Sequence, residues 1–126
     1  MRALEEYAER WQEHTGIQVE TAVSGERSLP LDVEQVLYRV LQESLSNIAR
    51  HAGADRVRLD LNMSPGQVIL TVADNGRGFD LDAISPNSYG LASMQGRLSE
   101  VGGALKVEST PNVGTTVSAE VKLATN

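Results

Sequence analysis

Three stretches of this chain alternate apolar and polar residues with a period of two, and that alternation limits the fold more than any other feature. Val57, Leu59, Leu61 and Met63 alternate with Arg56, Arg58, Asp60 and Asn62. Val68, Leu70 and Val72 alternate with Ile69, Thr71 and Ala73, and Val117, Ala119, Val121 and Leu123 with Thr116, Ser118, Glu120 and Lys122. Period two marks strands, whose successive side chains point to opposite faces. One face here is apolar and the other polar, so the sheet is covered on one side and wet on the other. A doubly wound parallel sheet would show continuous apolar runs instead. The pattern predicts an α/β two-layer sandwich: a mixed, mostly antiparallel sheet with helices on one face. Pro65-Gly66 marks a hairpin turn between the first two strands.

The helical layer is legible around these strands. Leu4, Tyr7, Ala8 and Trp11 recur at helical spacing over residues 3–13, and Gly16 ends that helix before a strand begun by Ile17, Val19 and Thr21. Asp32 with Gln35 three residues later reads as an N-cap and capping box. A long helix is expected from there to about Ala52, with Gly53 near its C-cap. A loop over about Asn75–Tyr89 precedes a helix over Leu91–Val101, which Gly102-Gly103 closes ahead of a strand carrying Leu105 and Val107. The 126 residues hold no repeat and no linker, so a single domain over 1–126 is expected.

Composition removes several classes of function. The chain has no cysteine, which excludes disulfides and thiolate metal sites. Its net charge is -6 and it has no basic run, so the electrostatic footprint of nucleic-acid binding is missing. No apolar run is long enough to cross a bilayer. The expectation is a soluble, cytoplasmic domain without nucleic-acid or direct membrane contact. An acidic chain that handles an anion has to make a local site for it from backbone N–H groups, a few cations and Mg²⁺.

The long helix carries two faces. Leu37, Leu41, Leu45 and Ile48 form a core stripe. Glu43 and Asn47, four apart, stack on nearly the opposite side, with Arg50 on the same stripe, His51 beside it, and Val36 and Val40 flanking. A plainly solvated face would not carry two valines around a carboxylate and a carboxamide. Oxygen ligands on a half-buried face suit Mg²⁺, which takes one or two protein oxygens and completes its shell with water and phosphate. An ordinary surface helix is the plainer reading of this segment alone.

Three glycine-containing elements follow. Asp74-Asn75-Gly76-Arg77-Gly78-Phe79 leaves a strand through a tight turn, with Asp74 at the strand end. An ionised carboxylate only accepts hydrogen bonds, so Asp74 suits the exocyclic amine of adenine and rejects the carbonyl of guanine. Taken alone, the segment reads more readily as a hairpin turn. Gly90 opens a helix, whose N-terminus is a natural phosphate site. Gly114-Thr115 enters the last strand. The P-loop, the dinucleotide fingerprint and the protein-kinase set are all absent from the sequence.

Together and in order, these pieces resemble the Bergerat-type ATPase domain shared by gyrase-type topoisomerases, heat-shock chaperones, MutL-type repair proteins and histidine kinases. Within that group the chain is similar to sensor histidine kinases that partner NarL-type response regulators. Leu37–Ala54 resembles that family's N box, Asp74–Phe79 its G1 box, and Tyr89-Gly90-Leu91 with Met94 and Arg97 its G2 box. The resemblance implies that Asn47 ligates Mg²⁺, with Glu43 beside it as ligand or base, and that Arg50 and His51 lie near the phosphates. It implies that Asp74 reads adenine with support from Thr115, that Gly76, Gly78 and Gly90 allow close approach of nucleotide and lid, and that Leu91 is a further cofactor-binding residue. The chain departs from the pattern at Ser88, Ser93 and Asn112, where members often carry glycine, and its lid of about Asp80–Tyr89 is short.

The function implied is the catalytic domain of a protein-histidine kinase, binding ATP and Mg²⁺ and donating the γ-phosphoryl group to a histidine on a separate dimerisation domain. Residues 1–16 would be the linker helix from that domain, the fragment a monomer, and the parent a homodimer for which anchoring at the inner membrane stays open. The family's acceptor histidine is followed by an acidic residue; His14 precedes Thr15 and His51 precedes Ala52, so neither matches. The alternatives are an anti-sigma-factor-like serine kinase, a non-catalytic nucleotide-binding module, or a chaperone or topoisomerase fragment, whose longer lids this chain lacks.

Overall fold

The computed structural model describes residues 2–25, 28–85 and 88–123. In chain order they form α1 (Arg2–Thr15), β1 (Gln18–Ser24), α2 (Leu31–Asn47) continued by a π-helical turn (Ile48–Ala52), β2 (Arg56–Ser64) and β3 (Gln67–Asp74). Short 3-10 turns at Leu81–Ala83 and Ser88–Gly90 lead to α3 (Leu91–Glu100), and β4 (Gly103–Thr110) and β5 (Gly114–Lys122) finish the fold. Two residues of the expected lid, Pro86 and Asn87, lie outside the described residues, as do Met1 and the last three.

The five strands form one sheet in the order β1-β2-β3-β5-β4. Only β1 and β2 run parallel; α2 is the crossover that such a pair requires. The other pairs are antiparallel, with Leu61 opposite Leu70 and Leu70 opposite Ala119. The expected alternation therefore falls on one face. Val57, Leu59, Leu61, Val68, Leu70, Val72, Ala119 and Val121 are all buried, and the helices cover them. On the other face Arg58 pairs with Asp60 and Glu20, and Lys106 with Glu108. These exposed pairs contribute little to stability. The expected two-layer sandwich is what forms.

The α2 stripe makes the centre of the core. Leu37, Leu41 and Leu45 are wholly buried, each stabilising the fold by roughly 1.5–3 kcal/mol through burial alone. From α1, Leu4, Ala8 and Trp11 join the same core, and Tyr7 meets Tyr38 of α2 edge-on, with centroids 5.4 Å apart.

Two local expectations need correction. Asp32 is not the N-cap of α2: Pro30 occupies that position, extended and without a side-chain cap, while the Pro30 carbonyl accepts from Glu34 N–H at 3.0 Å. Asp32 lies in the first turn, where its carboxylate accepts from Val33 N–H at 2.9 Å and faces the positive end of the helix dipole. The proline pre-sets an extended entry, so the helix starts two residues sooner than the aspartate signals. Nor does α-helix run to Ala52. It stops at Asn47 and widens into the π turn, which Gly53 ends at φ +62° as expected.

Candidate functional site

A pocket of ≈ 60 Å³ lies between the end of α2, the end of β3, the segment after it, and the β4–β5 hairpin. Its walls are mainly apolar, from Ile48, Val72, Leu91, Val107 and Val117, with Asn47, Asp74 and Thr115 as convergent polar groups. Few, well-placed polar groups in an apolar concavity are the usual signature of a ligand site. A broader groove beside Leu31, Tyr38 and Arg97 is larger, at ≈ 720 Å³. It is open and carries none of the glycine-rich elements, so the smaller pocket is the site.

Asp74 sits at the last position of β3, opposite Thr115 of β5. Its Oδ1 accepts from Gly76 N–H at 2.8 Å. Burial raises its pKa above the ordinary carboxylate value, an effect that hydrogen bonds from the backbones of Gly76 and Thr115 only partly offset. Around it, Ser109 Oγ lies 2.7 Å from Thr115 Oγ1 and accepts from Phe79 N–H at 2.9 Å. These bonds tie the hairpin and the loop after β3 into one rigid floor. Gly76 is buried against the π turn, so closely that a Cβ there would overlap the Ala52 carbonyl oxygen.

The α2 side supplies Asn47. Its Nδ2 donates to the Tyr89 carbonyl at 2.7 Å, while Oδ1 is buried with no partner. Such an oxygen is rare and calls for an explanation. Glu43, one turn earlier, packs on Gly90: a Cβ at that glycine would lie 2.5 Å from the carboxylate. His51 meets the Tyr89 ring edge-on at 5.1 Å, and Tyr89 stacks on Phe79 at 4.6 Å with the rings 10° from parallel.

Of the residues singled out from sequence, Asn47, His51, Asp74, Gly78, Leu91 and Thr115 line this one pocket. Glu43, Arg50, Gly76 and Gly90 do not line it; Gly76 and Gly90 instead let neighbouring backbone and side chains close around it. Arg50 is exposed outside the pocket. Sequence reasoning gave no individual role to Arg77, Phe79 or Tyr89, all of which line it. A signal existed: the chain has one Phe and three Tyr, and an aromatic stands at each end of the loop beside a glycine.

Sheet order, one-sided helical layer and a carboxylate on the pocket floor define a two-layer α/β sandwich with a ligand pocket at one end of its sheet. Over residues 32–125 the sequence matches the family described as Histidine kinase-, DNA gyrase B-, and HSP90-like ATPase, and the chain belongs to that family. The sensor histidine kinase LiaS of Bacillus subtilis is 43% identical over 91 residues, 72% of this chain and 25% of that protein. The signal transduction histidine-protein kinase/phosphatase DegS of Brevibacillus brevis is 33% identical over 123 residues, 97% of this chain and 32% of the relative. The chain thus spans about a quarter to a third of the length of these relatives. Among solved structures, the histidine kinase domain of the Erythrobacter litoralis EL346 blue-light activated histidine kinase superimposes with a TM-score of 0.76 at 26% identity, covering 95% of this chain and 59% of that one.

Proposed function

We propose that the chain is the catalytic domain of a two-component sensor histidine kinase, binding Mg-ATP and presenting its γ-phosphoryl group to a histidine on a dimerisation domain. The observation that carries this reading is the pocket itself, which joins the half-buried Asp74 carboxylate to the partnerless buried oxygen of Asn47.

Asp74 keeps acceptor capacity beyond its bonds to Gly76 and Thr115, and an adenine amine is the donor that matches it. The apolar walls take the faces of the base. Asn47 Oδ1 is a hard, neutral oxygen of the type Mg²⁺ accepts, and no cluster of three His, Cys, Asp or Glu able to hold a metal exists among the described residues. A Mg²⁺ ion would be held by Asn47, with Glu43 as second ligand or base, and phosphate oxygens would complete its shell. When bound, it supplies screening of phosphate charge. Arg77 at the pocket, with Arg50 outside it, supplies further positive charge toward the phosphates, and His51 lines the pocket beside them. In the transfer, an imidazole nitrogen of the acceptor bonds to the γ-phosphorus while the bond from that phosphorus to the β–γ bridging oxygen breaks. ADP leaves with the electron pair. The chain's share is positioning and electrostatics.

The assignments of Gly76, Gly78, Gly90, Leu91 and Thr115 to nucleotide and lid contact belong to the same reading. So do α1 as the linker from a dimerisation domain, a homodimeric parent, a NarL-type response regulator downstream, and a cytoplasmic setting. No helix among the described residues is long and apolar enough to cross a membrane. The test is calorimetric titration with ATP, with and without Mg²⁺, and with GTP, on wild type and Asp74→Asn. The expected result is Mg²⁺-dependent binding of ATP, none of GTP, and ATP binding weakened about tenfold or more in the variant. Equal ATP affinity in the variant would refute the role given to Asp74.

A further inference from the structure

We propose that Ser109 is a positioning residue for the base: it gives its hydrogen to Thr115 and so frees the Thr115 hydroxyl to donate to the ring nitrogen beside the adenine amine. The inference rests on the nucleotide reading above. It adds a residue that acts through another and does not itself line the pocket.

Three residues stand in one row across the sheet. β5 lies between β3 and β4, and Thr115 is paired with Asp74 on one side and with Ser109 on the other. The Thr115 backbone also bonds to the Asp74 carboxylate, and both residues line the pocket. A base whose amine donates to Asp74 meets Thr115 as the next member of the row. In adenine the ring nitrogen N1, beside that amine, has a lone pair and no hydrogen. A neighbour can serve it only by donating.

A hydroxyl has one hydrogen and two lone pairs. Ser109 Oγ accepts from Phe79 N–H at 2.9 Å and lies 2.7 Å from Thr115 Oγ1 and 3.3 Å from the Gly114 carbonyl oxygen. Two arrangements of hydrogens satisfy these distances. In the first, Ser109 donates to Gly114 and Thr115 donates to Ser109, which leaves Thr115 only lone pairs for a ligand. In the second, Ser109 donates to Thr115, and the Thr115 hydrogen is free for the pocket. The 2.7 Å bond is kept in both. The bond given up in the second is the 3.3 Å one, longer than the usual O–H···O limit of about 3.0 Å. Turning Thr115 into a donor therefore costs little. It also completes a chain from Phe79 N–H through Ser109 and Thr115 to the base, in which each bond polarises the next. Among the described residues Ser109 is the one hydrogen-bond partner of the Thr115 hydroxyl, so removing it leaves that hydroxyl free to turn.

The test is titration with ATP and with 1-deaza-ATP, in which a C–H replaces N1. The proteins are wild type, Ser109→Ala, Thr115→Val and the double variant, with thermal unfolding of each to show that it folds. For ATP, each single variant should bind about three- to tenfold more weakly than wild type. The double variant should match Thr115→Val within about twofold, because Ser109 acts only through Thr115. All four proteins should bind 1-deaza-ATP alike within about twofold, since the acceptor that Thr115 serves is gone. A role confined to holding the loop at Phe79 would weaken both nucleotides equally in Ser109→Ala. Equal weakening, additive losses in the double variant, or unchanged ATP affinity in Ser109→Ala each overturns the proposal and leaves the nucleotide site standing. Equal affinity of wild type for the two nucleotides overturns it without any variant. Absence of ATP binding to wild type overturns the nucleotide reading, and this proposal with it.

Discussion

Replacing Gly76 with alanine inserts one methyl group where the chain has no room for it. The new carbon would overlap the Ala52 carbonyl oxygen, and it would lie 2.7 Å from Ala52 Cβ and 2.9 Å from the Ala52 carbonyl carbon. Comfortable contacts of this kind need about 3.5 Å, so the π turn and the loop after β3 have to separate by about 1 Å. The hydrogen bond from Arg77 N–H to Ala52 O, now 2.7 Å, spans the same gap and is lost. Overpacking costs about 1–3 kcal/mol and the lost bond about 0.5–1.5 kcal/mol. Together they predict a loss of about 2–4 kcal/mol, which lowers the unfolding midpoint by roughly 5–20 °C for a domain of this size. Gly96→Ala is the matched control. Gly96 is exposed in α3, and a Cβ added there would meet nothing within 4 Å, so alanine should stabilise by roughly 0.5–1 kcal/mol. Urea unfolding of both variants at constant slope measures the pair. A Gly76→Ala loss below about 0.5 kcal/mol, the range of neutral surface changes, would refute the close-packing argument.

Asp74→Asn should be more stable than wild type at neutral pH, because burial penalises the ionised carboxylate and raises its pKa. That penalty is absent when the acid is protonated, so the gap shrinks as pH falls through the raised value and vanishes below the ordinary 3.8; urea midpoints that diverge toward acid would contradict it. In Asn47→Ala, titration should show that Mg²⁺ no longer strengthens ATP binding, a loss of about tenfold or more in the metal's effect. Leu41→Ala, at a wholly buried core position, should cost about 2–5 kcal/mol by chemical denaturation.

The layers of the fold were legible because burial is one-sided. Val57, Leu59, Leu61 and Met63 alternate with polar partners for no reason other than the wet face behind them. Strand order was not legible: the insertion of β5 between β3 and β4 depends on pairings that no local pattern encodes. The polar face of α2 was left between a surface face and a ligand face, because helical spacing alone does not separate Asn47, which reaches the pocket, from Glu43, which packs on Gly90. Asp32 misled because Pro30, by fixing the chain direction, starts the helix before the usual capping residue is reached. Tyr89 was legible only as part of the Tyr89-Gly90-Leu91 element, since its place in the pocket depends on a left-handed backbone and on contacts far along the chain at Asn47 and His51. Asn112 shows the opposite case. Its φ of +66° is one that asparagine tolerates better than most residues.

The π turn at Ile48–Ala52 has a consequence for how this chain can change over time. A π turn holds more residues than an α turn over the same arc, and each residue of an α-helix rotates its successor by about 100°. Residue identity in this turn is comparatively free at Ala49, which is exposed and does not line the pocket, whereas Ile48 is in the core and His51 lines the pocket. Residue number is not. Deleting a single residue would wind the turn into ordinary helix, swing the Ala52 carbonyl away from Arg77 N–H, and carry every later residue out of phase with Asn47. Sequence drift can therefore run by substitution at Ala49, while a change of length in this turn disturbs the pocket.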